Sequence, residues 1–128
     1  MIHYLTVEQV LFVHARLIDE TGGSHGVRDL GLLVSVVSRP KATYGGVELY
    51  PDIFSKSAAL IHSLVHNHPI VDGNKRTGIT AAGLFLMRNG RRTIASNPEL
   101  EAFTLSVATS PLEIGDIALW MEAHSLQP

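Results

Sequence analysis

No cysteine occurs among the 128 residues, so a disulfide framework, a thiolate metal site and a cysteine nucleophile are all excluded. No stretch approaches the roughly 18 consecutive apolar residues needed to span a bilayer. The opening Met1-Ile2-His3-Tyr4-Leu5-Thr6 lacks the basic segment followed by an apolar one that marks a secretory leader, so a cytoplasmic protein without membrane attachment is expected. Internal repeats, a collagen-like period and the compositional bias of disorder are also missing. The net charge of -2 is too small to suggest binding of nucleic acid across the whole surface, and no direct nucleic-acid partner is expected. Basic residues stop at Arg92, after which come Glu99, Glu101, Glu113, Asp116 and Glu122. Lys75, Arg76, Arg88, Arg91 and Arg92 instead crowd one central segment.

What is present is enough apolar material for one core: 45% of the residues are hydrophobic and 17% charged. That length and composition predict a single domain over 1–128. Thr6 with Gln9 reads as a helix N-cap, and Val10, Phe12, Val13, Leu17 and Ile18 supply an apolar face as far as Gly22-Gly23. A second helix begins near Asp29, carries Leu32, Leu33, Val36 and Val37, and stops before Pro40. Residues 40–52, with Pro40, Gly45, Gly46 and Pro51, read as a flap or hairpin-like loop. From Ile53 to Asn67 the spacing of Phe54, Ala58, Leu60, Ile61, Leu64 and Val65 predicts a third helix that ends at His68-Pro69.

A fourth helix from Gly73 to Asn89 is apolar almost all round, as a helix buried at the centre of a bundle would be. Arg92-Thr93-Ile94 suits an extended segment. Asn97-Pro98-Glu99 reads as a cap and opening for a fifth helix through Leu105 to Ala108. Ser110-Pro111-Leu112-Glu113 repeats that grammar, with proline first in the last helix, which carries Ile117, Leu119, Trp120 and Met121. The fold class is therefore all-α: a six-helix bundle with a short flap before the helix pair that holds the chemistry.

That chemistry is concentrated in His68-Pro69-Ile70-Val71-Asp72-Gly73-Asn74-Lys75-Arg76. At the start of a helix several backbone N–H groups lack internal partners and the dipole is positive, so a phosphate can be cradled there. Gly73 allows close approach of the backbone. Phosphoryl transfer needs a base, a metal-holding carboxylate and cations to offset developing charge. His68 suits the catalytic base, Asp72 the Mg²⁺ ligand, Asn74 an orienter of phosphate oxygens, and Lys75 with Arg76 the electrostatic clamp.

The run resembles the signature of the Fic/Doc family, HxFx(D/E)GN followed by G or K and then R: His68, Asp72, Gly73, Asn74 and Arg76 fall on its positions, and Ile70 occupies its aromatic position. Lys75-Arg76-Thr77 and the later Leu84-Phe85-Leu86-Met87-Arg88-Asn89-Gly90 are similar to the death-on-curing branch. The resemblance implies a Fic/Doc-like bundle and a toxin that uses ATP and Mg²⁺. Lys75 stands where the adenylyl-transferring branch has glycine, and Ile79 where that branch has a second arginine. The resemblance thus implies transfer of γ-phosphate to a protein Thr or Ser hydroxyl, with a threonine of translation elongation factor Tu as the family's target and translation arrest as the result. The alternatives are AMP transfer, or a non-catalytic module that blocks its target by binding. No internal Ser/Thr-x-x-x-Glu-Gly/Asn inhibitory segment occurs, which implies a cognate antitoxin on a separate polypeptide with a disordered tail.

Other features have competing readings. Tyr44, Gly45, Gly46 and Val47 could form an edge strand that docks the target beside His68, or be an ordinary loop. His62, His66 and His68 invite a metal reading, since 62 and 66 lie one helical turn apart, but that pair lacks the internal glutamate of zinc hydrolases, and His62 could simply lie on a polar helix face. Arg88, Arg91 and Arg92 suit the C-terminal end of the fourth helix and its dipole, the lesser alternative being a surface for RNA or an acidic partner.

Overall fold

The computed structural model describes residues 1–127. Six helices form where local grammar asks for them. In α1 (Val7–Thr21) the Thr6 hydroxyl accepts from the Gln9 amide at 3.1 Å, while the Gln9 side chain accepts from the Thr6 amide at 2.8 Å. Asp29 caps α2 (Leu30–Ser38) by accepting from the Leu32 amide at 2.9 Å. Proline then tightens the chain into a 3-10 turn, Arg39–Lys41. The flap is a hairpin, β1 (Thr43–Tyr44) against β2 (Val47–Glu48), with Tyr44 opposite Val47 across the Gly45-Gly46 turn. Asp52 caps α3 (Ile53–Asn67), and α4 (Asn74–Arg88) follows after the motif loop.

The remaining elements are β3 (Arg92–Thr93), α5 (Asn97–Thr109), α6 (Ile114–Ala123) and β4 (Ser125–Leu126). β3 pairs antiparallel with β4, Arg92 opposite Leu126. The extended segment was legible but its distant partner was not. Two expected caps shift. Ser96, not Asn97, caps α5, its hydroxyl accepting from the Glu99 amide at 3.3 Å, so Pro98 sits within the first turn. Pro111 lies outside α6, because Ser110 leaves α5 extended and Glu113 with Asp116 opens the last helix instead.

The centre of the bundle also differs from expectation. α3, rather than α4, is the helix enclosed on most sides, burying Ala58, Ala59, Leu60, Ile61, Leu64 and Val65. It packs mainly against α4 and α6. α4 contributes Ala81, Ala82, Phe85 and Leu86 to the core but leaves Lys75, Arg76, Met87 and Arg88 exposed. Each large apolar side chain so buried adds about 1.5–3 kcal/mol. Gly78 lets these two helices approach closely, since a Cβ there would lie 3.4 Å from both Leu64 Cβ and Val65 Cγ2. Among the described residues no helix is long and apolar enough to cross a membrane.

A buried lysine roots the hairpin. Lys56, 1% exposed in the first half of α3, donates to Glu48 Oε1 at 2.9 Å and to the Tyr50 carbonyl. Arg39 adds a second tie, donating to the Tyr50 hydroxyl at 2.9 Å, to Ser63 Oγ at 2.6 Å and to His62 Nδ1 at 3.1 Å.

Candidate active site

The motif loop joins the C-terminus of α3 to the N-terminus of α4, two helices packed side by side, so His68 and the first turn of α4 are brought to one end of the bundle. His68 is the helix C-cap and, among the described residues, the one non-glycine with positive φ (49°, ψ 56°). Left-handed backbone costs an L residue about 1–2 kcal/mol, and a neighbouring side chain offsets it here. Arg28 donates Nε–H to the His68 carbonyl at 2.5 Å and Nη2–H to the Asn67 carbonyl at 2.9 Å. The backbone amides of Arg28 and Asp29 also donate to the Pro69 carbonyl, at 2.9 and 3.0 Å. The His68 ring is left exposed, with no hydrogen bond among the described residues.

Ile70 is 1% exposed and anchors the loop in the interior. Asn74, expected to orient phosphate oxygens, is turned inward instead. Its Oδ1 accepts from the Ile70 amide at 3.2 Å and its Nδ2 donates to the Ile70 carbonyl at 2.9 Å. This reciprocal pair closes the loop, so what Asn74 offers outward is its backbone N–H.

Asp72 stands exposed at the mouth of α4. Its Oδ2 accepts from the Ser24 amide at 3.1 Å and its Oδ1 from the Gly73 amide at 2.8 Å. Gly23 makes room for this contact, because a Cβ there would come within 2.6 Å of Asp72 Oδ2. Gly73 is the N-cap of α4 with φ 77° and ψ 25°, a region that suits glycine, and no side chain caps the helix. The amides of Asn74, Lys75 and Arg76 therefore start the helix without intrahelical acceptors. Thr77 N donates to the Gly73 carbonyl at 2.8 Å as the first helical bond. Lys75 and Arg76 are exposed on this turn, Arg76 donating to the Thr21 hydroxyl of α1.

An uncapped, positively poled helix end with two cations and a carboxylate beside it can seat an anion and a divalent ion together. The exposed imidazole next to it can take a proton. A cavity of about 450 Å³ lies elsewhere, between α5 and α6, lined by Phe103, Leu112 and Trp120 among others. No motif residue lines it, so convergence of chemistry rather than depth marks the site.

Tyr44 and Val47, on either side of the Gly45-Gly46 turn, are 82% and 69% exposed, which leaves the tip of the hairpin open to solvent. The His62 and His66 rings lie against each other with centroids 4.4 Å apart and planes tilted by 38°. His62 accepts from Arg39, and His66 Nε2–H donates to the Val107 carbonyl at 2.9 Å, so both rings have structural partners. Three supports escaped the sequence reading: Arg28, Ser24 and His14, whose Nε2 lies 2.8 Å from the Asp72 carbonyl. A buried histidine on the apolar face of α1 was the one available signal.

Comparison with known proteins agrees with the motif. Residues 4–86 match the sequence model of the Fic/DOC family. The chain is 43% identical over 120 residues to "Toxin Doc" of Mycolicibacterium smegmatis, covering 92% of this chain and 90% of that protein. It is 31% identical over 115 residues to "Protein kinase doc" of Escherichia phage P1, covering 90% of each.

Proposed function

The chain belongs to the Fic/Doc family, and from that premise we propose that it is a toxin that transfers the γ-phosphate of ATP to a Thr or Ser hydroxyl of a protein. The observation that carries this reading is the uncapped start of α4 behind left-handed Gly73, with His68 held exposed beside it. Amides of Asn74, Lys75 and Arg76 bind phosphate oxygens, and the two side chains add charge at the mouth. His68 accepts the acceptor hydroxyl's proton as its oxygen bonds to the γ-phosphorus; the bond to the bridging oxygen breaks, and ADP leaves.

The exposed Asp72 carboxylate suits Mg²⁺, since a hard cation takes oxygen ligands and keeps room for phosphate oxygens. When bound, the ion would offset charge on the phosphates. Both Asp72 oxygens already accept backbone hydrogen bonds, which fixes the carboxylate in place.

Lys75 at the second position of α4 and Ile79, packed against the core, favour phosphate over AMP transfer. Translation elongation factor Tu is the acceptor to test first, which would make translation arrest the outcome in the cytoplasm. A relative named as a toxin supports a cognate antitoxin as partner. The test incubates the purified chain with Mg²⁺, the elongation factor and ATP labelled at either the α or the γ position. Label on the target from γ alone is expected, and label from α alone would replace this reading with AMP transfer. His68→Ala should abolish both labelling and toxicity; a toxic His68→Ala variant would instead indicate a module that acts by binding.

A further inference from the structure

His14 lies in the middle of α1, 3% exposed, with its Nε2 2.8 Å from the main-chain oxygen of Asp72. A carbonyl oxygen only accepts, so this nitrogen carries the hydrogen. The bond crosses 58 positions of sequence and reaches the peptide that opens α4. In a trans peptide the C=O and N–H point to opposite sides. With the Asp72 oxygen turned toward α1, the Gly73 N–H must point away from it, where it meets Asp72 Oδ1. Orienting this one peptide therefore sets how the chain enters α4, where the run of free amides from Asn74 to Arg76 begins.

Glycine at the joint makes that orientation cheap to lose. Gly73 tolerates both signs of φ, so rotation of the 72–73 peptide meets little steric resistance from the residue itself. The space beneath it is not tightly filled either: a Cβ on Gly73 would lie 3.5 Å from Ile18 Cδ1 and 3.9 Å from His14 Cδ2, ordinary contact distances. A directed hydrogen bond from a side chain fixed by burial can supply what the backbone lacks.

We infer that His14 is a positioning residue, whose Nε2–H clamps the Asp72–Gly73 peptide so that the amides at the mouth of α4 face outward to take an anion. The inference rests on the phosphate-seat reading for its purpose, but not for its geometry. In the full-length wild-type chain, long-range nitrogen–proton correlation of the His14 ring should show hydrogen on Nε2; a bare Nε2 overturns the proposal without any variant. His14→Gln keeps a donor in reach, whereas His14→Leu fills the volume without one.

The Gly73 and Asn74 backbone amides should stay sharp and unshifted in His14→Gln, and become displaced and exchange-broadened in His14→Leu. The KM for ATP should rise about tenfold in the leucine variant, the effect of one lost buried hydrogen bond. The glutamine variant should stay within about twofold of wild type, with kcat moved less than KM in both. Unchanged amides and KM in the leucine variant, or a glutamine variant as impaired as leucine, overturn the clamp. Should the wild type transfer no phosphate while its Gly73 amide still answers to the leucine change, the clamp stands and the proposed activity falls.

Discussion

Arg28 does for His68 what no residue of the motif does: its guanidinium binds two successive carbonyls and holds the histidine backbone in the left-handed region. Hydrogen bonds from a charged donor are worth about 1.5–3 kcal/mol each when shielded, and less at this exposed surface. Arg28→Ala should therefore lower kcat about tenfold, with KM for ATP altered little. Arg28→Lys should recover only part, because an ammonium lacks the planar fork. Steady-state rates for the two variants decide it, and a lysine variant with full wild-type kcat would show that charge alone suffices. The motif residues were legible because they are contiguous, whereas Arg28 was not, its partners lying 39 and 40 positions away. Asn74 differs: its partner Ile70 is only four positions away, but residue type alone does not say whether an amide side chain turns inward to close a loop or outward to a ligand.

At the scale of elements, the middle of α3 carries a titration that the helix pattern hides. The His62 pKa lies below the ordinary imidazole value through burial, then the neighbouring His66 and Arg39 charges. Arg39 donating to Nδ1 holds the neutral ring. The unfolded chain binds a proton that the folded chain refuses, so this contribution to stability is present above about pH 6.5 and is lost as pH falls toward the depressed folded value. Tm should fall between pH 7.5 and 5.5, and His62→Gln should shallow that fall; an unaltered slope would remove His62 from the account.

The hairpin gives a second test at this scale. Glu48→Ala strips the buried Lys56 ammonium of its carboxylate and should cost about 1–2 kcal/mol, Glu48 being half exposed. Lys56→Met should cancel most of that cost in the double variant, as denaturant titration would reveal. Helix starts such as Thr6 with Gln9 were readable because a cap lies within one turn of what it satisfies. The enclosure of α3 was not, since Lys56 and His62 look polar in sequence and only the packing of α4 and α6 decides their surroundings.

Over the whole molecule, the chain's two ends are stitched to the far end of α4. The His3 amide donates to Asn89 Oδ1 at 2.8 Å, and Arg91 reaches the Ser125 carbonyl at 3.2 Å. Ile94 N donates to the His124 carbonyl at 2.8 Å. Truncation after His124 removes β4 and should lower stability by about 1–2 kcal/mol, while leaving the motif loop, at the opposite end of α4, able to turn over ATP. A loss of kcat larger than the loss of folded protein would refute that separation. The all-α class was legible from helix periodicity, but the β3–β4 ribbon pairs residues 92–93 with 125–126, a separation no local pattern reports.

The motif loop belongs to α3 and α4, yet it is moored from outside, by His14 of α1 and by Ser24, Gly26 and Arg28 of the segment that follows it. The motif end of the bundle is thus a seam between the leading third of the polypeptide and the remainder. A wedge driven into that seam, by a bound protein or by local melting of residues 22–29, would unfasten the chemistry while leaving His68 and Asp72 untouched and the apolar interior intact.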